Sequence, residues 1–196
     1  MKQPLAAWCR PLVAALALLG TAEVFAQAPQ DAPSTAAPAL VGQWESAGPE
    51  DLGRMFATRG FNFDGDHWRV SFRTFADAEM RRALFTLEAG GVFVLGGQSA
   101  KVPAAWEGVF PAQYRRITAD SEAGAALFAS MGCALRPGQP VSLTLQGCGF
   151  VPSLMQAMGE YDLVLVKDGQ LFFGDRSGDL SKARPDKLTP FALRRR

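Results

Sequence analysis

Few residues in this chain are of types that carry out chemistry, and their spacing limits what they can do. His67, beside Asp66, is the sole histidine of 196 residues and the one conceivable general base. It falls in an alternating stretch in which His67, Arg69, Ser71 and Arg73 face away from Trp68, Val70 and Phe72. That places it on a solvated strand face with no suitable nucleophile nearby. The chain has no G-x-S-x-G elbow, no phosphate-cradling glycine loop and no metal-ligand spacing, and Asp175…Asp179 lacks the spacing of a calcium loop. The expectation is a protein that is not an enzyme and holds no metal or cofactor.

Cysteine usage points to an oxidising compartment. Lys2 and Arg10, the apolar run Pro11–Gly20 and the small residues around Val24-Phe25-Ala26 read as a signal peptide over residues 1–26. The apolar run is shorter than the roughly 20 residues that span a bilayer; a retained anchor is the other reading. Cys9 precedes that run and is removed with the peptide, leaving Cys133 and Cys148, an even count that reads as one disulfide in an exported chain, periplasmic or secreted. Cleavage also removes Lys2, Arg10 and Glu23, so 18 basic and 18 acidic residues remain. A net charge of zero argues against a nucleic-acid partner. Arg194-Arg195-Arg196 is a local cationic cluster, read as a solvated tail or as a contact for anionic lipid or a partner.

The remaining candidates are apolar. Residues 27–39, rich in Ala and Pro, read as a disordered leader, and residues 40–193 as one β domain. Leu40–Ser46 is a first strand carrying Trp44. Arg54–Phe63 and His67–Phe75 form a hairpin across Asp64-Gly65. A two-residue turn pairs odd with even positions, so Phe61 and Phe63 share a face with Trp68, Val70 and Phe72. A second hairpin is expected to turn at Gly90-Gly91, with Phe85 and Leu87 facing Val92 and Val94. A further strand runs from Ala105 to Phe110, breaks at Pro111 and resumes over Gln113–Thr118.

The one good helix is expected at Asp120–Met131, stopped by Gly132. A disulfide would staple its end to a strand through Val141, Leu143 and Leu145. The hairpin at Asp168-Gly169 is apolar on both faces, which calls for the sheet core on one side and the helix on the other. Pro190–Leu193 is a short last strand. The fold class is mainly β: a curved antiparallel half-barrel or barrel, lipocalin-like in its Gly42-Gln43-Trp44 opening, with one packed α-helix. The stripe Phe61, Phe63, Trp68, Val70, Phe72 and Phe85 either lines a ligand pocket or fills a core. Arg59 either receives an anionic head group at the rim or pairs with a carboxylate.

A wider pattern resembles a known family. It comprises Gly42-Gln43-Trp44-Glu45-Ser46, Glu50, Phe56-Ala57-Thr58-Arg59-Gly60-Phe61-Asn62-Phe63, Trp68 and Phe75-Ala76-Asp77. Further on come Gly90-Gly91, Phe93, Val102…Glu107…Phe110, Cys133…Cys148, Glu160-Tyr161, Phe172-Phe173-Gly174, Arg176 and Arg184-Pro185…Lys187. In this order they resemble the domain of the adenomatosis polyposis coli down-regulated (APCDD) proteins, secreted or membrane-tethered Wnt inhibitors of animals. The family usually has a cysteine just before the Glu50 position and another after the Asp77 position; here Pro49 and Met80 stand there, so of the family's bridges only Cys133–Cys148 carries over. The resemblance implies a curved sheet whose apolar concave face holds a lipid, another hydrophobic ligand or a lipidated partner. The alternative is an interaction module that binds an envelope protein without a small ligand.

Overall fold

The computed structural model describes residues 36–196. The expected signal peptide, Cys9 and most of the expected Ala/Pro-rich leader lie outside the described residues. The strands are β1 (Gly42–Ser46), β2 (Glu50–Asp51), β3 (Phe56–Asp64), β4 (His67–Phe75), β5 (Ala83–Val92), β6 (Val94–Gln98) and β7 (Trp106–Ala119). After the helix α1 (Glu122–Ala129) come β8 (Val141–Ser142), β9 (Gly159–Lys167), β10 (Gln170–Phe173) and β11 (Leu193–Arg195). They form one antiparallel sheet in the order β1-β11-β10-β9-β7-β5-β4-β3-β2, with β6 and β8 attached to β7. Because β1 also pairs with β3, the hydrogen bonding runs in a ring. The expected mainly β, curved antiparallel fold with one helix is what the chain adopts.

The hairpins follow turn chemistry. Phe63 pairs with Trp68 and Asp64 with His67, so the β3–β4 turn is Gly65-Asp66, one residue later than expected, with Gly65 at φ +58°. The parity is unaffected, and Phe61 still faces Val70. At the β9–β10 turn both Asp168 and Gly169 take positive φ, the geometry that matches strand twist.

The Gly90-Gly91 turn does not exist. β5 runs straight through both glycines, and β5 and β6 lie end to end along β7. The glycines are there for close approach. A Cβ on Gly91 would sit 2.2 Å from the Pro111 carbonyl oxygen, and one on Gly90 2.7 Å from the Tyr114 ring. The ladder is bulged here, between Gly90 and Gly91, which is where Pro111 had suggested a break.

The helix is shorter than expected and packs elsewhere. Ser121 caps it by accepting from the Gly124 N–H, and α1 packs on β5 and β7 rather than over the last hairpin. Phe128 meets Phe85 edge to face at 5.0 Å, over the row of side chains that points into the ring. The outer face of β9 is covered instead by the loop after β10. Leu163 has no exposed surface, the Tyr161 N–H donates to the Leu180 carbonyl, and Pro185 abuts Gly174. Arg184 anchors this loop by donating to the Gly108 and Asp162 carbonyls. The expected strand through Leu145 is reduced to Val141–Ser142. Cys133 and Cys148 are bonded, with Cα atoms 5.3 Å apart, which fits an oxidising compartment.

The basic tail is also a correction. Leu193–Arg195 forms β11, which seals the ring by pairing with β1 and β10. Arg195 lies 4.6 Å over the Trp44 ring and donates to the Val41 and Ala39 carbonyls, while Arg194 reaches Glu45 at 3.2 Å.

Two stability outcomes follow. Gly124→Ala should destabilise the protein by about 1–3 kcal/mol in denaturant unfolding, although helix propensity alone favours Ala by about 1 kcal/mol. The reason is that a Cβ there would lie 1.7 Å from the Leu84 carbonyl oxygen. Cys133→Ser should lower stability by roughly 3 kcal/mol, and mass measurement before and after reduction should show one bridge.

Candidate functional site

The ring interior is built by strand alternation. From one end, Phe63, Trp68 and Phe110 are followed by Trp44, Phe61, Ala89, Ala112, Val164, Leu171 and Phe173, all in one buried cluster. At the other end Phe85, Ile117, Ala119 and Phe128 form a second cluster with Cys148 and Val151. The next inward positions along β3, β7 and β9 are Arg59, Arg115, Asp162 and Glu160. A charged layer therefore separates two apolar clusters inside one ring.

Each charge in that layer has partners. Glu50 is brought in by β2 and accepts from the Arg59 Nε at 2.8 Å and the Ser46 hydroxyl at 2.7 Å. Arg59 also donates to the Phe191 carbonyl, and its own N–H donates to Ser46 Oγ. Arg176 enters from the loop after β10 and donates to Glu160 at 2.7 Å and Asp162 at 2.8 Å. The other Asp162 oxygen accepts the Leu163 and Gly174 N–H groups. Arg115 bonds no carboxylate; it donates to the Pro152, Ser153 and Ala157 carbonyls. Those carbonyls belong to an irregular segment that stands beside β7 where β9 has ended. Arg115 thus supplies the donors that a neighbouring strand would have supplied.

Burial lowers the Arg59 and Arg115 guanidinium pKa values from their ordinary value, opposed by Glu50 and Glu160 respectively. Burial pushes Asp162 up against the pull of Arg176 and two N–H groups. At Glu160, burial acts upward but is outweighed by the charge and hydrogen bond of Arg176, with Arg115 adding to them, so its carboxyl stays below the usual range.

Between the layer and the first cluster is a cavity of about 200 Å³. Arg59, Phe61, Trp68, Val70 and Phe72 line it, together with Phe110 and Phe173 from the opposite wall. The polar end is formed by Arg115, Arg176, Glu160 and Asp162. Arg176 is exposed and Glu160 half-buried, with 42 % and 37 % of their side-chain surface accessible, so this side of the layer faces solvent.

Five of the seven candidate residues thus meet at one cavity. Phe63 lies deeper, between Phe61 at 5.8 Å and Phe93 at 5.3 Å, and Phe85 sits in the helix-covered cluster. Arg59 is inside rather than at a rim, and 6 % exposed. His67 is exposed at the hairpin turn, 2.7 Å from Asp66 and beside no other titratable group in an ion pair. Among the described residues, no group of three or more His, Cys, Asp or Glu is placed to hold a metal ion.

Arg115, Glu50, Asp162, Glu160 and Arg176 were not among the sequence candidates. Asp162 carried a signal, an acid at the parity of Val164 and Val166. Arg115 carried one as well: Phe110 and Ala112 are even while Ile117 and Ala119 are odd, so the parity must switch near Pro111. Arg176 lies on a loop and carried none. No protein-family model and no curated protein matches the chain.

Breaking the inner pairs should be costly. Arg59→Met should lose about 3–5 kcal/mol, and adding Glu50→Leu should restore most of it, measured by denaturant unfolding as a double-mutant cycle. Because the Glu160 pKa is held below its unfolded value of 4.5, its contribution is present above that pH and lost as pH falls through the folded value. Wild type should therefore lose thermal stability more steeply than Glu160→Gln in that acid range.

Proposed function

We propose that this chain is an exported, non-enzymatic binding protein that holds a hydrophobic ligand inside the ring. The observation that carries the reading is the partly open cavity walled by Phe61, Trp68, Val70, Phe72, Phe110 and Phe173. Native cores close-pack to leave few voids larger than a water molecule, so an aromatic-walled space of about 200 Å³ is a ligand site rather than a packing defect. The size bounds the occupant. It exceeds the roughly 150 Å³ apolar cavity that takes up benzene and falls short of the roughly 300–1,000 Å³ of drug-sized sites. A small apolar molecule fits, or one end of a longer acyl chain, not a whole lipid. The resemblance to APCDD domains supports the same class of ligand, and the disulfide and the signal-peptide pattern support a periplasmic or secreted location.

Native mass spectrometry of protein purified from cells should show a bound small molecule. Ala89→Phe, which projects into the cavity, should abolish uptake of a fluorescent apolar probe. A folded wild-type protein that carries no ligand and takes up no probe would sink the reading.

A second reading is favoured by one surface. Leu145, Phe150, Met155 and Met158 are all more than half exposed on the segment between β8 and β9, a grouping that marks interaction sites. On that reading the domain docks a protein of the cell envelope through this segment, with no small ligand. A photo-crosslinker at Met155 should then capture one protein in living cells, while the same probe at Arg69 captures none.

A further inference from the structure

The charged layer specifies what the cavity accepts, on the premise that the cavity is a ligand site. Its cations are Arg59, Arg115 and Arg176, and its anions are Glu50, Glu160 and Asp162. They interact as one set: Arg59 feels Asp162 and Arg176 as well as Glu50, Arg176 feels Glu50, and Arg115 feels Glu160. Three positive and three negative groups leave the layer formally neutral. Asp162 belongs in that count as a carboxylate, because each side-chain hydrogen bond it makes is to a donor. Arg59, the natural candidate for an anionic head group, is already taken by Glu50.

A charged head group seated between Arg115 and Glu160 would thus find no net opposite charge in the layer to offset the hydration it gives up against the apolar walls. Two groups nevertheless remain open. The hydrogen bonds of Arg115 run from its two terminal nitrogens, leaving the Nε–H without an acceptor among the described residues. Glu160 engages Arg176 through Oε2, leaving Oε1 without a donor among the described residues. Both residues line the cavity. One donor and one acceptor at the end of an apolar space match a hydroxyl, which can accept from the first and donate to the second.

We propose that the ligand is an uncharged apolar molecule, or the uncharged end of one, terminating in a hydroxyl-type group. It is seated with its apolar body against Phe61, Phe110 and Phe173 and its head between Arg115 and Glu160. Carboxylates and amines of the same length are excluded by charge rather than by size.

The test is isothermal titration calorimetry of the disulfide-bonded protein at pH 7 with octan-1-ol, octanoate and octylammonium. The alcohol should bind at least tenfold more tightly than either ion. Glu160→Gln keeps an oxygen for Arg176 and gives the layer one net positive charge. It should raise octanoate affinity at least tenfold over wild type, with the unfolding midpoint held within a few degrees. Wild-type octanoate or octylammonium binding as tightly as the alcohol overturns the charge argument and leaves the binding reading standing. So does a folded Glu160→Gln protein with unchanged octanoate affinity. If none of the three binds wild type, the binding reading falls and this inference with it; the wild-type comparison decides the matter even should the variant not fold.

Discussion

Everything inside this domain depends on β1 pairing along both of its edges. Gly42–Ser46 bonds β3 on one side and β11 on the other, which turns an open sheet with two exposed edges into a ring. Edges invite pairing with other chains, and closure leaves that hazard only at the short appended strands. It also fixes the interior volume, so each inward residue competes with those across the ring. Trp44 shows how tightly the junction is held. It is buried, its indole N–H donates to the Leu40 carbonyl at 2.7 Å, and the Arg195 guanidinium covers its ring.

Given that closed interior, the charged layer is the costly part of the design. Buried ion pairs seldom stabilise a fold beyond what apolar residues of the same volume would provide. Two apolar clusters with charges between them are therefore poorly explained by stability alone. Part of the answer is structural: the segment beside the second half of β7 is not a strand, and its carbonyls need the donors of Arg115. The remainder lies in the cavity, where guanidinium and carboxylate groups set a chemical boundary on an otherwise greasy space.

How much of this was legible depended on whether a signal was local. Alternation across a Gly-containing turn placed Phe61, Val70 and Trp68 on one face, and a one-residue error in the turn changed nothing, since parity survives it. Gly90-Gly91 misled because a glycine pair signals a turn and a close approach equally well; what distinguishes them is the Pro111 carbonyl across the ladder, which only the fold supplies. The apolar outer face of β9 correctly demanded cover, but a loop containing Leu180 and Pro185 answered it instead of the helix. Arg194 and Arg195 looked like a solvated tail because their roles, a cation over Trp44 and a partner for Glu45, lie about 150 positions away in sequence. The cavity lining was half legible for the same reason: one aromatic wall comes from the β3–β4 hairpin, while Phe110 and Phe173 come from β7 and β10 and the charges from three separate strands and a loop.

The seam between β1 and β11 bears on the order of assembly. Ser46 pairs with Leu193, so the ring closes by joining segments from opposite ends of the domain, the kind of distant contact that slows folding. The local hairpins β3–β4 and β9–β10 can form early, while the seam must wait for both. Until it is made, the aromatic interior and the facing edges of β1 and β11 stay open to water. The chain therefore passes through a stage in which its apolar interior is accessible from the side, and in that interval an occupant could be enclosed as the wall shuts around it rather than admitted afterwards through a portal.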